Sequence, residues 1–279
     1  MTLKDVLFFD TETTGVPDRK AKWSEDYNEF PHVVQIAWMH GCKAESHVIR
    51  PEGWEIPQEA VDVHGITTEY AKEHGEPFAV VVDMFVQDCH EAGLICGHNI
   101  HFDTGIIKAN ILRELGREYY DANDVETALY KGKRIDTMRT TIKWVDARKA
   151  NGGIKFPNLS DLYSRCFPSE TFPAHNAFED VKAVARCLPV LIENGLVELK
   201  VKEYPDEAQG NAQTPLKVDE KTEEMAQKSA PAEETAKTGP ISAPNPENDK
   251  LSVQQEKSPQ IEKSAEITGL SELLEENNF

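Results

Sequence analysis

Cysteine is scarce in this chain and has no pairing pattern: five residues in 279, an odd number, with no C-x-x-C spacing. That excludes a disulfide framework and a thiolate zinc site, and it fits free thiols in a reducing compartment. Long apolar runs are also missing. No stretch approaches the roughly 20 residues that span a bilayer, and Lys4 and Asp5 interrupt the start, so neither a membrane span nor an apolar leader is expected. The expectation is a chain that stays in the cytoplasm. Basic residues are in deficit, 30 Lys+Arg against 49 Asp+Glu, for a net charge of −19. That sign opposes non-specific attraction to phosphates, so a polyanionic ligand would need positive charge supplied locally. Apolar residues make up 39% of the chain, below the ~45–50% usual for globular sequences. The shortfall lies mostly at one end. Residues 201–279 hold 17 acidic and 8 basic residues, seven prolines, no Trp, and only 12 Val, Leu, Ile or Phe. So few apolar side chains cannot offset the entropy of ordering. The expected organisation is therefore a folded domain over 1–200 and a disordered acidic tail over 201–279. A short helix is expected near 267–277, where Ile267, Leu270, Leu273 and Leu274 share a face. Such a helix at the end of a polar tether could dock on a partner.

Within the first 200 residues, Val6-Leu7-Phe8-Phe9 is apolar on both faces, as a strand buried at the centre of a sheet would be. Val33 to Met39 and Ser46 to Arg50 follow as strand candidates, and Leu94 to Gly97 as another. Helical spacing runs from Pro77 to Glu91, from Asp103 to Leu115 and from Ala177 to Glu193, the last with a kink expected at Pro189. The segment Val16 to Pro31 is a polar loop longer than most connections. Strands first and helices interleaved later predict a mixed α/β domain.

Three clusters carry chemistry. Asp10 and Glu12, two apart at the end of the first strand, point to one side of the sheet, where two carboxylates repel unless a cation sits between them. Taken alone, D-x-E also fits a strand that ends in a turn. The second cluster is Gly97-His98-Asn99-Ile100-His101-Phe102-Asp103, at a strand-to-helix junction, where Asp103 alone would serve as a first-turn acid facing the helix dipole. The third is His175-Asn176-Ala177-Phe178-Glu179-Asp180, with Asp180 at the margin of an apolar helix face and His175 on the preceding loop.

Taken together and in this order, the three clusters resemble the DEDD exonuclease superfamily, histidine branch, similar to the epsilon proofreading subunit of DNA polymerase III and to ribonuclease T. Phe9-Asp10-Thr11-Glu12-Thr13-Thr14-Gly15, Val63-His64-Gly65-Ile66-Thr67 and Ile135-Asp136-Thr137 add to the likeness, which runs from about Lys4 to about Leu199. The resemblance implies a ribonuclease H-like fold, a central mixed β-sheet flanked by helices. It implies a 3′→5′ exonuclease that uses two Mg²⁺ or Mn²⁺ ions. Asp10 would bridge both ions, Glu12 and Asp180 would complete one site, Asp103 would support the other, and His175 would accept the proton of the attacking water. Imidazole, with an ordinary pKa near 6.5, suits that task. Four carboxylates against two divalent cations leave a nearly neutral site that admits a phosphodiester despite the acidic chain. Thr11, Thr13, Thr14, Gly15 and His64 would cradle the terminal nucleotide, with Asn99 and Phe102 in support. The expected substrate is a nucleic acid 3′ end, single-stranded or frayed DNA first and RNA trimming as the alternative. The tail would offer attachment to a polymerase or replication partner. A non-catalytic nucleic-acid scaffold on the same fold would have lost a ligand or the base, and none is lost here.

One feature stands apart from that likeness. Residues 131–155 carry eight basic residues (Lys131, Lys133, Arg134, Arg139, Lys143, Arg148, Lys149 and Lys155) against Asp136 and Asp146. This excess, centred on the loop with Lys149, reads as a surface that guides a strand, with Trp144 or Phe156 available to stack on bases.

Overall fold

The computed structural model describes residues 1–200; residues 201–279, and with them the expected tail and its terminal helix, lie outside the described residues. The strands are β1 (Val6–Thr13), β2 (Val33–His40), β3 (Lys43–Val48), β4 (Leu94–Gly97) and β5 (Arg134–Asp136), in the spatial order β3-β2-β1-β4-β5. β2 runs antiparallel to β1 and β3, whereas β4 and β5 run parallel to β1 and to each other. The helices are α1 (Gln58–His64), α2 (Thr68–His74), α3 (Phe78–Glu91), α4 (Ile100–Glu114), α5 (Gly116–Ala122), α6 (Val125–Ala128), α7 (Thr137–Val145), α8 (Leu159–Cys166) and α9 (Ala177–Glu193). This is the mixed sheet with flanking helices that the sequence predicts. None of the described helices is long and apolar enough to cross a membrane.

β1 is the central strand, and its alternating side chains divide the core in two. Leu7 and Phe9 face one layer, with Val81 and Phe85 of α3 and Ile106 and Ile107 of α4. Val6 and Phe8 face the other, with Leu162 of α8 and Val181, Val184 and Leu188 of α9. Because strand side chains alternate with period 2, this division also decides where every polar residue further along β1 points. Helix α9 runs through Pro189 without interruption. Cys89, Cys96 and Cys187 are buried, and Cys42, Cys89, Cys96, Cys166 and Cys187 are all free thiols.

β1 outruns its parallel neighbour. Its pairing with β4 stops at Phe8 opposite Cys96, while its pairing with β2 continues to Thr13. Five residues of β1 thus have an open edge on the β4 side. At the end of β4, a side chain on Gly97 would lie 3.1 Å from the Phe9 carbonyl oxygen and 3.3 Å from Ile100. The absence of a Cβ there lets α4 begin tight against the sheet. The register of β1 against β2 slips between Glu12 and Thr13, a bulge of the kind that re-aims side chains at sheet ends.

Candidate active site

Asp10 and Glu12 share the parity of Val6 and Phe8 and so project toward α9. Asp180, on the first turn of α9, meets them: one carboxylate oxygen from each of Asp10, Glu12 and Asp180 lies within 4.8 Å of the others. Thr11 has the opposite parity and faces α4. There its backbone N–H and its hydroxyl both donate to Asp103 Oδ1, at 3.2 and 2.8 Å. Asp103 thereby satisfies a backbone donor on the open edge of β1, and the pair of bonds fixes its carboxylate beside Asp10. The helix carrying it starts at Ile100, three residues earlier than the spacing predicts, after Asn99 in the left-handed conformation at φ 66°.

Two polar contacts set the start of α9. Asn176 caps it, its side-chain oxygen accepting from the N–H groups of Phe178 (3.1 Å) and Glu179 (3.3 Å). The buried Gln35, opposite Glu12 on β2, accepts from the Ala177 N–H at 3.3 Å. His175 precedes the cap on an exposed loop, with φ 70°, a conformation that costs a non-glycine residue of order 1 kcal/mol or more and is common at functional sites. Its backbone lies near enough to the Asp180 carboxylate to favour the ionised form, which sets the loop histidine beside the helix acid.

Every charge that shifts the four carboxyl groups is negative. Burial first, and then Asp103, Asp180 and Glu12, push Asp10 well above the ordinary carboxylate range; some of its surface stays accessible, yet protein surrounds it on the scale over which desolvation acts. Burial, followed by Asp180 and Asp103, raises Glu12 to about 8. Asp103 rises to about 7 through burial, against the pull of its Thr11 hydrogen bonds, with Asp136 adding repulsion. Asp180 rises to about 7 through burial, opposed by the His175 backbone and assisted by Glu179. Asp180 Oδ1 is buried with no hydrogen-bond partner. Hard oxygen donors, close together, mutually repelling and partly unsatisfied, fit divalent cations of the Mg²⁺ type.

The other expected residues divide. The Thr13 hydroxyl donates to the Gly15 carbonyl at 2.6 Å, and Thr14 Oγ1 accepts from the His32 N–H at 2.9 Å, so both side chains shape the turn after β1. His64 Nδ1 accepts from the Ile66 N–H at 3.1 Å. Its buried Nε2 makes no close hydrogen bond, although the Thr13 backbone lies near enough to favour the protonated ring against the lowering effect of burial. Phe102 packs against the α3 and α4 core layer. Lys149 sits in a small hairpin closed by the bridge between Arg148 and Ile154, its N–H donating to the Gly153 carbonyl at 2.7 Å.

Much of the basic stretch is committed internally. Lys133 Nζ donates to the Cys89 carbonyl (2.9 Å), Arg134 to the Leu129 carbonyl (3.0 Å) and Thr104 (2.9 Å), and Lys155 pairs with Asp161 (2.9 Å). Trp144 packs on the α9 core layer under the Arg165 guanidinium and is only partly exposed, which leaves Phe156 as the more open ring. Gln35 and Asp136 carry no site role in the sequence reading. Asp136 Oδ1 accepts from the N–H groups of Asn99 and Arg139, both at 3.2 Å, joining the starts of α4 and α7.

The sheet order, with helices on both faces, gives a domain of the ribonuclease H-like fold. The family model described as Exonuclease (RNase_T) matches residues 7–188, and the chain belongs to that family. Solved structures of exonuclease I share the fold. A product-bound form is 19% identical with a TM-score of 0.51, covering 68% of this chain and 44% of its own. The moderately thermophilic exonuclease I of Methylocaldum szegediense is 19% identical with a TM-score of 0.51, covering 67% and 40%. The exonuclease I structure described as suggesting how processivity is achieved is 20% identical with a TM-score of 0.51, covering 68% and 42%. The chain thus spans less than half the length of these proteins, and the likeness is one of fold. No curated protein matches the chain at a significant level.

Proposed function

We propose that the chain is a metal-dependent 3′→5′ exonuclease of the histidine branch, which releases nucleoside 5′-monophosphates from DNA 3′ ends in proofreading or repair. The observation that carries this reading is the meeting of Asp10, Glu12 and Asp180 within 4.8 Å, with Asp103 fixed beside them by Thr11. Those four acids would hold two Mg²⁺ or Mn²⁺ ions. When bound, such ions supply Lewis-acid stabilisation of the attacking and leaving oxygens of a phosphodiester. His175 would take the proton of the attacking water on a ring nitrogen, and its backbone lies close to the Asp180 carboxylate, which sets that loop beside the acids. The backbone of Thr11 to Gly15 and the loop bearing His64 would bind the terminal nucleotide, and Asn99 and Phe102 would support that wall. A reducing, cytoplasmic setting agrees with the five free thiols.

The test is digestion of matched DNA and RNA oligonucleotides, labelled at the 3′ or the 5′ end, with Mg²⁺, Mn²⁺ or EDTA. Stepwise shortening from the 3′ end is expected, abolished by EDTA and by Asp10→Ala and reduced by orders of magnitude in His175→Ala. Faster shortening of RNA would replace DNA by RNA as the substrate. Internal cuts, or wild-type rates in Asp180→Ala, would overturn the assignment.

A further inference from the structure

Phe156 is a large apolar side chain left 55% exposed beside the buried Pro157. Its position is fixed from the acid cluster outward. His98, at the end of β4, lies with Nδ1 3.0 Å from Thr137 Oγ1 and Nε2 3.0 Å from the Pro157 carbonyl oxygen. The next residue, Asn99, is held through its N–H by Asp136, and Asp136 is close enough to raise Asp103. Asp136 Oδ2 in turn lies 3.3 Å from Arg139 Nε, and the Arg139 guanidinium stands 5.8 Å from the centre of the Phe156 ring. The aromatic ring and its arginine are therefore braced against the strand ends that carry the candidate active site. The hairpin that leads into Phe156 carries Lys149, and α7 carries Lys143; both are exposed, and neither forms an ion pair among the described residues.

We infer that Phe156, with Arg139 behind it, is a stacking platform for a base upstream of the 3′-terminal nucleotide, and that Lys143 and Lys149 neutralise the phosphates beside it. The occupant is single-stranded nucleic acid, on grounds of charge: residues 131–155 hold a positive excess in a chain of net charge −19, and a planar ring under Arg139, with exposed lysines on the same helix as that arginine and on the hairpin before the ring, matches alternating bases and phosphates. Stacking of this kind tolerates any base, because every base has a π face. Phe156 is thus a substrate-positioning residue remote from the bond that breaks. The inference rests on the exonuclease reading above.

The test compares two substrates on the same protein: a single-stranded 10-mer and the p-nitrophenyl ester of thymidine 5′-monophosphate, which has no upstream base. In Phe156→Ala the ratio of the two KM values, 10-mer over ester, is expected to rise about tenfold. Phe156→Trp should restore the ratio, whereas Phe156→Leu, apolar but without a π face, should not. Adding salt should raise KM for the 10-mer less steeply in Lys149→Ala than in the wild type. An unchanged ratio in Phe156→Ala, or restoration by Leu, overturns the platform while leaving the exonuclease reading intact. Failure of the wild type to hydrolyse either substrate overturns the exonuclease reading itself.

Discussion

Lys108 and the acids at the end of β1 are all charges withdrawn from water, but the protein supplies a counter-charge to only one of these groups. Lys108 is 2% exposed on α4, yet its ammonium lies 2.6 Å from Glu126 Oε2 and 4.8 Å from the Trp23 ring centre. Glu126 also receives the Tyr120 hydroxyl at 2.7 Å; burial would raise its pKa, and the bonds from Lys108 and Tyr120 bring it below the usual value. Asp88, 5% exposed, is likewise served by Trp38 Nε1 at 2.8 Å and by Lys43. Around Asp10, Glu12, Asp103 and Asp180 the neighbouring charges only repel. A buried charge with a counter-charge in its own chain belongs to the structure. One without it calls for something from outside, and here that something has positive charge.

The sharpest way to break this contrast is to neutralise one of the acids that lack a counter-charge. Asp180→Asn should cut exonuclease activity about a thousandfold or more, equivalent to about 4 kcal/mol. The same change should make the metal-free protein more stable at pH 8. In the unfolded chain these carboxyls ionise near pH 4, whereas in the folded protein Glu12 does so at about 8 and Asp103 and Asp180 at about 7. Between those limits the folded form holds the extra protons, so stability falls as pH rises through the window and levels off once the folded groups ionise. Thermal melts in EDTA should therefore show Tm dropping by about 5–10 °C from pH 5.5 to 8.5. Mg²⁺ or Mn²⁺ should restore it at the upper end, and Asp180→Asn should flatten the slope. A Tm independent of both pH and metal would remove the distinction between the two groups of buried charge.

Removing a charge from the partnered group should do the reverse. Lys108→Met keeps the apolar stem but leaves Glu126 without its cation. Because Glu126 keeps 49% of its side-chain surface in water, the loss should be about 2 kcal/mol rather than the larger penalty of a fully enclosed pair. That corresponds to about 4–8 °C in Tm. Activity per folded molecule should stay within about twofold, and added metal should not recover the lost stability. If metal did recover it, Lys108 would have to be coupled to the acid cluster.

The contrast also explains what could be read from the sequence. The shared side of Asp10 and Glu12 follows from the period of a strand, and the inward tilt of Asp180 from the period of a helix, so three of the acids were legible wherever β1 and α9 were. The helices α3 and α9 were legible because their apolar faces are strong. The three-residue β5 and the short, polar α7 and α8 were not, since too few apolar positions recur in them to show a period. The start of α4 is not legible because Gly97, His98 and Asn99 have loop chemistry, and only the close approach of Gly97 to Phe9 shows why the helix begins there. Gln35 and Asp136 were hidden for another reason. Each acts on a backbone N–H far along the chain, 142 residues away for Gln35 and Ala177 and 37 for Asp136 and Asn99, and no local pattern records such a pairing.

Gln35 allows the finest test, because it joins the two kinds of site: a satisfied buried amide that holds an unsatisfied acid in place. Its Nε2 donates to Ser46 Oγ at 3.1 Å while its Oε1 receives the Ala177 N–H, so the side chain spans from β3 to the first residue of α9. Gln35→Leu fills the same space but leaves that N–H unpaired, at a cost of about 1–3 kcal/mol. A merely structural role would lower Tm and nothing more. If Gln35 positions Asp180, the variant should also need several times more Mg²⁺ or Mn²⁺ for half-maximal activity, while kcat at saturating metal falls by less. Gln35→Glu keeps the acceptor for Ala177 but sets another carboxylate opposite Glu12, so it should retain the anchored helix and yet steepen the fall of metal-free Tm with pH. A metal requirement unchanged in Gln35→Leu, alongside a lowered Tm, would confine Gln35 to the partnered side of the comparison.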